Sequence, residues 1–262
     1  MAFFPIPLQP NLREMHLLIG IDDTDNKESR GTGFHARQLA KLIEERKLGE
    51  IFGITRHQLF VHPEIPYTSQ NSSAALEVKT DQAKGIREAC IEFLLEIAPE
   101  GCDIGLCIAE TKKINEEIIS WGQRAKKEVL SQTEAVHLAN TEDIFLQGLT
   151  GSKDGIIGAL AAVGLRKSGN DGRFVWLRGK KELRELPPGT MSVKQLKINL
   201  NIDKVESVTG EVLNGDINIS LHDWVRPVLK SNAITLLVEK ENRKEAGYEW
   251  KCASKDYVRT VS

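Results

Sequence analysis

Four consecutive residues near the start of the chain, Asp22-Asp23-Thr24-Asp25, place three acids directly after the apolar run 16–21. Carboxylates packed this closely repel one another, so without a partner they would cost stability or take up protons. A divalent cation removes that repulsion, and Mg²⁺ prefers a few carboxylates together with water and phosphate oxygens. The spacing therefore predicts a metal site formed by Asp22, Asp23 and Asp25, which are also the candidate catalytic residues.

The geometry of an extended chain makes this prediction more specific. Successive side chains point to opposite sides, so Asp23 and Asp25 should lie on one side and Asp22 and Thr24 on the other. Asp23 and Asp25 could then share one ion while Asp22 holds a second ion or a basic side chain. A loop with ordinary Asx turns would use the same residue types, so a purely structural role stays open.

A glycine-rich corner, Arg30-Gly31-Thr32-Gly33, follows the acids and precedes an amphipathic segment. Free N–H groups and the helix dipole at such a helix start favour phosphate. Acids for a metal beside amides for phosphate are typical of a nucleotide–Mg²⁺ site. We therefore assign Thr24, Arg30, Gly31, Thr32 and Gly33 to nucleotide binding.

A second glycine-flexible helix start lies in the segment 151–162, where Lys153, Asp154 and Gly155 precede many small residues. This is not a Walker A loop, because the lysine comes before the helix without the required spacing. Phosphate contact by Lys153 or nearby amides is one interpretation, and a tightly packed helix with a glycine cap is the other. Lys153, Asp154 and Gly155 complete the nucleotide-binding candidates.

Two other kinds of site are disfavoured by spacing. Enzymes that form an aspartyl phosphate also place D-x-D at a strand end, but the position where they carry a hydroxyl is Lys27 here. The four cysteines form no C-x-x-C pair, so they are interpreted as reduced core thiols rather than zinc ligands.

The elements that must position these residues follow a β-α-β-β-α-β order. The apolar patterns predict strands over 16–21, 51–61, 73–78 and 103–109, and helices over 33–46 and 81–97. This order is that of a ferredoxin-like, four-stranded antiparallel sheet with both helices on one face and the first and third strands central. The acids would then lie at the end of a central strand, beside the start of the next helix.

The remainder of the chain predicts an α+β protein with additional helices and a β-rich C-terminal part. Helical patterns cover 115–138 and 151–169, and a turn and a strand follow. The stretch LPPGT at 186–190 resembles a boundary, after which LKINLNI, ESVTGEVL, INISL and ITLLVEK alternate like strands. We expect an N-terminal extension over 1–15, a nucleotide-binding region over 16–185 and a β-rich addition over 186–262.

Charge and hydropathy exclude several classes of protein. The 262 residues carry a formal net charge of −2, so a nucleic acid would need a local basic patch. No window reaches the roughly 18 uninterrupted apolar residues of a membrane span, and the N-terminus lacks the basic segment of a signal peptide. The sequence predicts a cytoplasmic protein with no membrane partner.

Three stretches resemble one known family. The run IGIDDTD with its glycine corner and helix is similar to the N-terminal region of TiaS-type tRNA-isoleucine agmatinylcytidine synthases. HPEIPYTSQNSSAAL resembles that family's loop of the type NP-x-x-PWKTRGNGA, and GIIGALAAVG followed by FVWLR resembles its GLIGALAAIG region. The resemblance runs, patchily, from about Leu17 to Arg178.

The resemblance implies a kinase-like module that uses ATP and Mg²⁺, with a ferredoxin-like part and the carboxylates of Asp22, Asp23 and Asp25 at the nucleotide–metal site. In that family ATP phosphorylates a cytidine carbonyl of the tRNA, and agmatine displaces the phosphate. The implied partners are a nucleotide together with RNA (tRNA) or a small amine. An oligomer is compatible with the sequence.

Departures from the family pattern change what we expect of the reaction. The family's corner reads Gly-Met-Cys-Thr-Thr and one threonine is phosphorylated, whereas Phe34 and His35 stand at the hydroxyl positions here and Thr32 is out of register. The loop's Lys and Arg are replaced around 68–70, and no zinc ribbon follows. We expect an ATP/Mg²⁺-dependent phosphotransfer or ligase-like enzyme with a changed acceptor. The alternatives are a non-catalytic nucleotide- or RNA-binding regulatory module of the same fold, and a scaffold in a larger RNA-modifying complex.

Overall fold

The computed structural model describes residues 14–67, 70–177, 181–221, 225–241 and 249–262. The predicted extension over 1–15 lies outside this range except for its last two residues, and Met15 already belongs to the first strand. The helices are α1 (Thr32–Glu45), α2 (Ala83–Ile97), α3 (Glu116–Arg124), α4 (Gln132–Thr141), α5 (Gly155–Ser168), α6 (Val193–Leu200) and α7 (Lys255–Thr260).

The strands form one extended mixed sheet. They are β1 (Met15–Asp22), β2 (Glu50–Gln58), β3 (Ser72–Thr80), β4 (Gly105–Glu110), β5 (Phe145–Gly148), β6 (Arg173–Leu177), β7 (Lys181–Glu182), β8 (Gly189–Ser192), β9 (Lys204–Ser207), β10 (Val212–Leu213), β11 (Asn218–Leu221), β12 (Val228–Lys230), β13 (Ala233–Lys240) and β14 (Trp250–Cys252). The protein is therefore of the predicted α+β class.

The first four strands are antiparallel neighbours in the order β4-β1-β3-β2. This confirms the predicted β-α-β-β-α-β order and the central positions of β1 and β3. Strand β5 pairs with β4 on one side, and β6 pairs with β2 on the other. Because β1 is a central strand, Asp22 at its carboxyl end has strands on both sides, β4 and β3.

Both faces of this sheet are covered, which explains the unbroken apolar run in β1. Leu17, Ile19 and Ile21 belong to the core that contains α1 and α2. Leu18 belongs to the core on the other side, formed with α3, α4 and α5. Side chains on successive residues of a strand point to opposite faces, so a strand buried on both sides must be apolar throughout.

Helix α5 approaches the sheet through its main chain. A Cβ atom at Gly20 of β1 would lie 2.0 Å from the carbonyl oxygen of Ala159, and one at Gly105 of β4 would lie 2.0 Å from the carbonyl carbon of Gly155. Only glycine leaves room for such a contact. The tight packing that the small residues of this segment suggested is present, and it fixes the start of α5 beside the end of β1.

The C-terminal part is β-rich and continues the sheet. Strand β12 pairs with β6 and with β13, and the order then runs through β14 and β11 to β8. Helix α7 packs through Val258 against Val228 and Leu237. This contact brings the cationic residues of α7 towards β6 and the N-terminal part of the chain.

One predicted strand is a helix. LKINLNI was expected to alternate as a strand, but most of it belongs to α6, which begins after Ser192. The side chains of Ser192 and Gln195 form a capping box, and Val193, Leu196 and Leu200 are buried at helical spacing. The cap and the i, i+3, i+7 spacing outweigh the local alternation.

Among the described residues, no helix is both long enough and apolar enough to cross a bilayer.

Candidate functional site

An open cleft of about 900 Å³ lies where β1 ends and α5 begins. We call it the acidic cleft, because its described lining contains six carboxylates and no Lys, Arg or His: Asp22, Asp23, Asp25, Glu64, Glu128 and Asp154. Apolar side chains, among them Leu59, Ile157 and Leu130, line another part of its wall. The cleft thus offers an apolar surface beside a strongly negative one.

The three acids singled out in the sequence line this one cleft together. The expected alternation of their side chains is wrong, because Asp23 has a left-handed backbone with φ of 51° and the strand geometry ends there. Thr24 is fully buried beneath the acids rather than facing a ligand. The left-handed backbone of Asp23 therefore lets the side chains of Asp22, Asp23 and Asp25 line the same cleft.

Hydrogen bonds fix Asp25 to the start of α1. Its Oδ1 accepts from the main-chain N–H of Thr32 at 3.1 Å and from the Thr32 hydroxyl at 3.0 Å. The Thr24 hydroxyl donates to Thr32 Oγ1 at 3.3 Å and lies 2.9 Å from Nδ1 of His35. Burial lowers the pKa of His35, which favours a neutral ring in this network. Asp25 thus occupies one of the N–H groups that a phosphate would use at this helix start.

Burial and mutual repulsion disfavour ionisation of the other two acids. Burial, followed by the nearby charge of Asp23, raises the pKa of Asp22 to about 8. Burial and then the charge of Asp103 raise the pKa of Asp23 to about 6. A bound cation would offset both effects, because it supplies the positive charge that this group of acids lacks.

The arrangement suits an ion that takes only part of its ligands from protein. No group of three or more His, Cys, Asp or Glu side chains in the described ranges has the geometry of a complete metal site. Mg²⁺ is usually held by one or two carboxylates, with water and substrate phosphates as its other ligands. Asp22 and Asp23 line the same cleft and can supply these two carboxylates.

Helix α5 contributes the opposite wall. Gly158 faces the carboxylate of Asp22 so closely that a Cβ atom there would lie 1.8 Å from Oδ2. Asp154 and Gly155, which the sequence assigned to nucleotide binding, line the acidic cleft. Lys153 does not join them, because its side chain lies against Gly148 of β5 and lines neither this cleft nor its neighbour.

A second cleft of similar size adjoins the first and shares Asp25, Thr32, Gln70 and Ser72 with it. The predicted corner residues Arg30, Gly31, Thr32 and Gly33 line this second cleft. We call it the basic cleft, because its described lining carries six cations: Arg30, Arg37, Arg56, Arg173, Lys255 and Arg259. Asp25 is the one acid in that described lining.

Sequence reasoning did not identify most of the basic cleft. Arg56, Arg173, Lys255 and Arg259 belong to β2, β6 and α7, which are far apart along the chain. Each stands in an ordinary strand or helix, and no local spacing links one to another. Only the pairing of β2 with β6 and the packing of α7 bring them together.

A third polar group lies behind the basic cleft and has a structural role. His57 is fully buried, with Nε2 2.8 Å from the Thr55 hydroxyl and Nδ1 2.8 Å from Asp171 Oδ1. Lys126 forms an ion pair with the other oxygen of Asp171. The group ties β2 to the turn before β6 and to the segment after α3.

This group should make stability depend on pH. Burial lowers the pKa of His57 below its ordinary 6.5, despite the neighbouring Asp171. As pH falls below 6.5, the unfolded chain takes up a proton at this residue before the folded protein does, so the free energy of unfolding decreases. We expect His57→Gln to reduce the steepness of this decrease between about pH 7 and pH 5, where one proton is worth up to about 1.4 kcal/mol per pH unit.

The measurement is urea unfolding across that pH range. His137→Gln, which alters an exposed histidine of α4, is the control and should leave the slope as in the unmodified protein. An equal change of slope in both variants would contradict the assignment to His57.

Comparison with known proteins gives one consistent result. The chain is 28% identical over 155 residues to the tRNA 2-agmatinylcytidine synthetase TiaS of Methanosarcina acetivorans, covering 56% of this chain and 35% of that protein. It is 30% identical over 179 residues to the TiaS of Methanosarcina mazei, covering 64% of this chain and 40% of that protein. No family model matches the sequence.

Solved structures agree with the sequence matches. A crystal structure of TiaS in complex with its tRNA and ATP superposes with a TM-score of 0.51 at 27% identity, covering 57% of this chain and 36% of that one. A complex of TiaS with tRNA, AMPCPP and agmatine, at 18% identity and a TM-score of 0.51, covers 94% of this chain and 55% of that one, and shares the fold alone. The chain thus spans less than half the length of the curated relatives it matches.

Proposed function

We propose that this chain, a divergent relative of TiaS over part of its length, binds ATP with Mg²⁺ and transfers the terminal phosphoryl group as a phosphotransferase or ligase-like enzyme. The observation that carries the proposal is the meeting of Asp22, Asp23 and Asp25 in one cleft beside a cleft lined by cations. The TiaS–ATP complex supports the choice of nucleotide. The acceptor differs from that of TiaS.

From the charges of the two clefts we propose a position for each part of the nucleotide. The acidic cleft repels phosphates unless a cation is present, so Asp22 and Asp23 are the proposed ligands of Mg²⁺. The phosphates would lie where the clefts meet, beside Arg30 and the corner Gly31–Gly33. The apolar wall formed by residues such as Leu59 and Leu130 would take the base.

Phosphoryl transfer at such a site depends on position and charge more than on a protein nucleophile. An oxygen or nitrogen of the acceptor forms a bond to the terminal phosphorus of ATP and releases its proton to water, while the bond from that phosphorus to ADP breaks and ADP keeps the electron pair. Mg²⁺, when bound, supplies charge neutralisation to the phosphates. Asp25 lines both clefts, and two hydrogen bonds from Thr32 hold its carboxylate in place between them.

The residues at the family's hydroxyl positions support a changed acceptor. The guanidinium carbons of Arg30 and Arg37 lie 5.7 and 5.8 Å from the ring centroid of Phe34. His35 is buried and engaged with Thr24. Since neither position offers a hydroxyl, a covalent step on those residues is not part of this proposal. RNA or a small amine remain acceptor candidates, by analogy with the tRNA and agmatine of the TiaS complex.

A second candidate function is a regulatory module that binds nucleotide or RNA without turnover. The same replacement at positions 34 and 35 favours it, because the fold and clefts would persist after the reactive groups were lost. Product formation separates the two functions.

Thermal unfolding with ATP tests the proposal. We expect ATP with Mg²⁺ to raise Tm and ATP with EDTA to leave it unchanged, because a ligand at about 100 times its Kd adds about 2.7 kcal/mol. Asp23→Asn should lose the shift, since it removes a charge that the metal needs. Asp216→Asn, at an exposed turn far from the clefts in sequence, is the matched control and should keep it.

Incubation of the protein with ATP and candidate acceptors, followed by analysis for ADP or AMP, then separates enzyme from binding module. Absence of any Tm shift with Mg²⁺ and millimolar ATP would refute the enzyme and the nucleotide-binding form of the module. A shift of equal size with EDTA would refute the metal site.

A further inference from the structure

The basic cleft extends beyond the corner assigned to nucleotide. Arg56, Arg173 and Arg259, together with Gln70, also line an adjoining groove in which Gly31–Gly33 take no part. The cations therefore continue away from the nucleotide phosphates rather than ending at them.

The local concentration of positive charge requires an explanation. The whole chain carries a formal net charge of −2, yet six cations and one carboxylate make up the charged part of the described lining of this cleft. Arg37 and Arg173 are only 4% and 7% exposed. Several cations that converge on one cleft give it a positive potential, which attracts an anion.

Polar neighbours orient the cations towards the cleft. Arg56 donates from Nη2 to Gln70 Oε1 at 3.0 Å and to Ser72 Oγ at 2.6 Å. The packing of Val258 against the β12–β13 core holds the helix that carries Lys255 and Arg259. A guanidinium held in this way presents a positive charge at a fixed position, which suits a phosphate group.

The shape favours a small ligand over a nucleic-acid strand. The cations converge from α1, β2, β6 and α7 on a single concave cleft, which is the form that small-molecule sites usually take. A nucleic-acid backbone is usually bound along a stripe of basic residues on one surface. In the adjoining groove, Val61 and Tyr67 are 52% and 45% exposed and provide an apolar surface beside the arginines.

We infer that the second substrate is a small molecule that carries a phosphate monoester and an apolar or aromatic part, with the phosphate held by Arg56, Arg173, Lys255 and Arg259. That this ligand is a substrate rests on the proposed function. That the basic cleft binds it does not. The wall shared with the acidic cleft, which includes Thr32 and Ser72, would place this ligand beside the nucleotide.

Phenyl phosphate is a suitable probe, with phenol as its uncharged control. We expect calorimetry to show binding of phenyl phosphate but not phenol, both to the free protein and to the protein saturated with Mg²⁺ and a non-hydrolysable ATP analogue. The double variant Lys255→Gln/Arg259→Gln should weaken binding at least about tenfold, since two charge-assisted contacts are lost. Lys127→Gln/Lys194→Gln removes the same charge at exposed positions outside both clefts and should change Kd less than about twofold.

Three results would overturn the inference. Absence of phenyl phosphate binding would remove the site, and displacement by the nucleotide analogue would reassign the cations to the phosphates of ATP. Tighter binding of a short single-stranded RNA, weakened by the same double variant, would replace the small ligand by nucleic acid. Because the free protein is also tested, failure of ATP to bind would refute the proposed function without deciding this one.

Discussion

The substitution Gly158→Ala should weaken Mg²⁺-dependent ATP binding while leaving the protein folded. Gly158 lies inside α5, where alanine is more favourable than glycine by about 1 kcal/mol. Its new Cβ atom would lie 1.8 Å from Asp22 Oδ2 and 2.6 Å from Asp22 Cγ, so the carboxylate would have to move. We expect Kd for Mg–ATP to rise at least about tenfold, because a misplaced ligand loses more than about 1.4 kcal/mol of binding energy.

The double variant Asp22→Ala/Gly158→Ala controls this result. Once the carboxylate is absent, alanine at position 158 has no charged group to displace, so the double variant should bind no more weakly than Asp22→Ala alone. Such non-additivity is the mark of two residues that act through one contact. Wild-type ATP binding by the single variant Gly158→Ala would show that the position of Asp22 is unimportant to the site.

The substitution Gly20→Ala should strongly destabilise the protein. The new Cβ atom would lie 2.0 Å from the carbonyl oxygen of Ala159 and 3.1 Å from Val163 Cγ2. The nearest obstacle is main chain and cannot rotate away, so α5 would have to move from the sheet. We expect the free energy of unfolding to fall by about 3 kcal/mol or more, or the variant to fail to fold.

Urea unfolding measures this change. Gly189→Ala is the matched control, because a Cβ atom there meets nothing within 4 Å and the substitution should change stability by less than about 0.5 kcal/mol. Equal effects at positions 20 and 189 would refute the main-chain contact between α5 and β1.

Much of the N-terminal fold follows from apolar periodicity. The strand at 16–21 was predicted because it is short, apolar and followed by acids, and β1 covers Met15–Asp22. The sheet order β4-β1-β3-β2 follows from the element order, since few connections of that length are available. The place of Asp22 at the end of a central strand was therefore accessible from the sequence.

Local conformation was harder to predict than element order. The alternation rule placed Asp22 and Asp23 on opposite sides, and a single left-handed residue at Asp23 defeats it. Apolar and polar residues do alternate in LKINLNI, but the cap at Ser192 makes most of the segment helical. Ile198, which a strand would have buried with its apolar neighbours, is 67% exposed on the helix. Both errors arise where one residue's backbone conformation decides the direction of several side chains.

The cations that β2, β6 and α7 bring to the basic cleft were beyond local sequence reasoning, which identified only the corner at 30–33. Arg56 and Arg173 meet because β2 pairs with β6, and Arg259 joins them because Val258 packs on the β12–β13 core. No spacing rule relates residues so distant, since only tertiary structure determines their separation. Sites assembled across elements in this way become visible only when the whole fold is known.

Because α7 follows every other helix and strand along the chain, it is also the last of them to be synthesised. A ribosome that has completed β1 to β6 and α5 has already produced every described residue that lines the acidic cleft. Lys255 and Arg259 emerge much later, and domains generally fold as the polypeptide is extruded. A nascent chain would therefore pass through a stage in which the acidic cleft is complete but the basic cleft still lacks two of its cations.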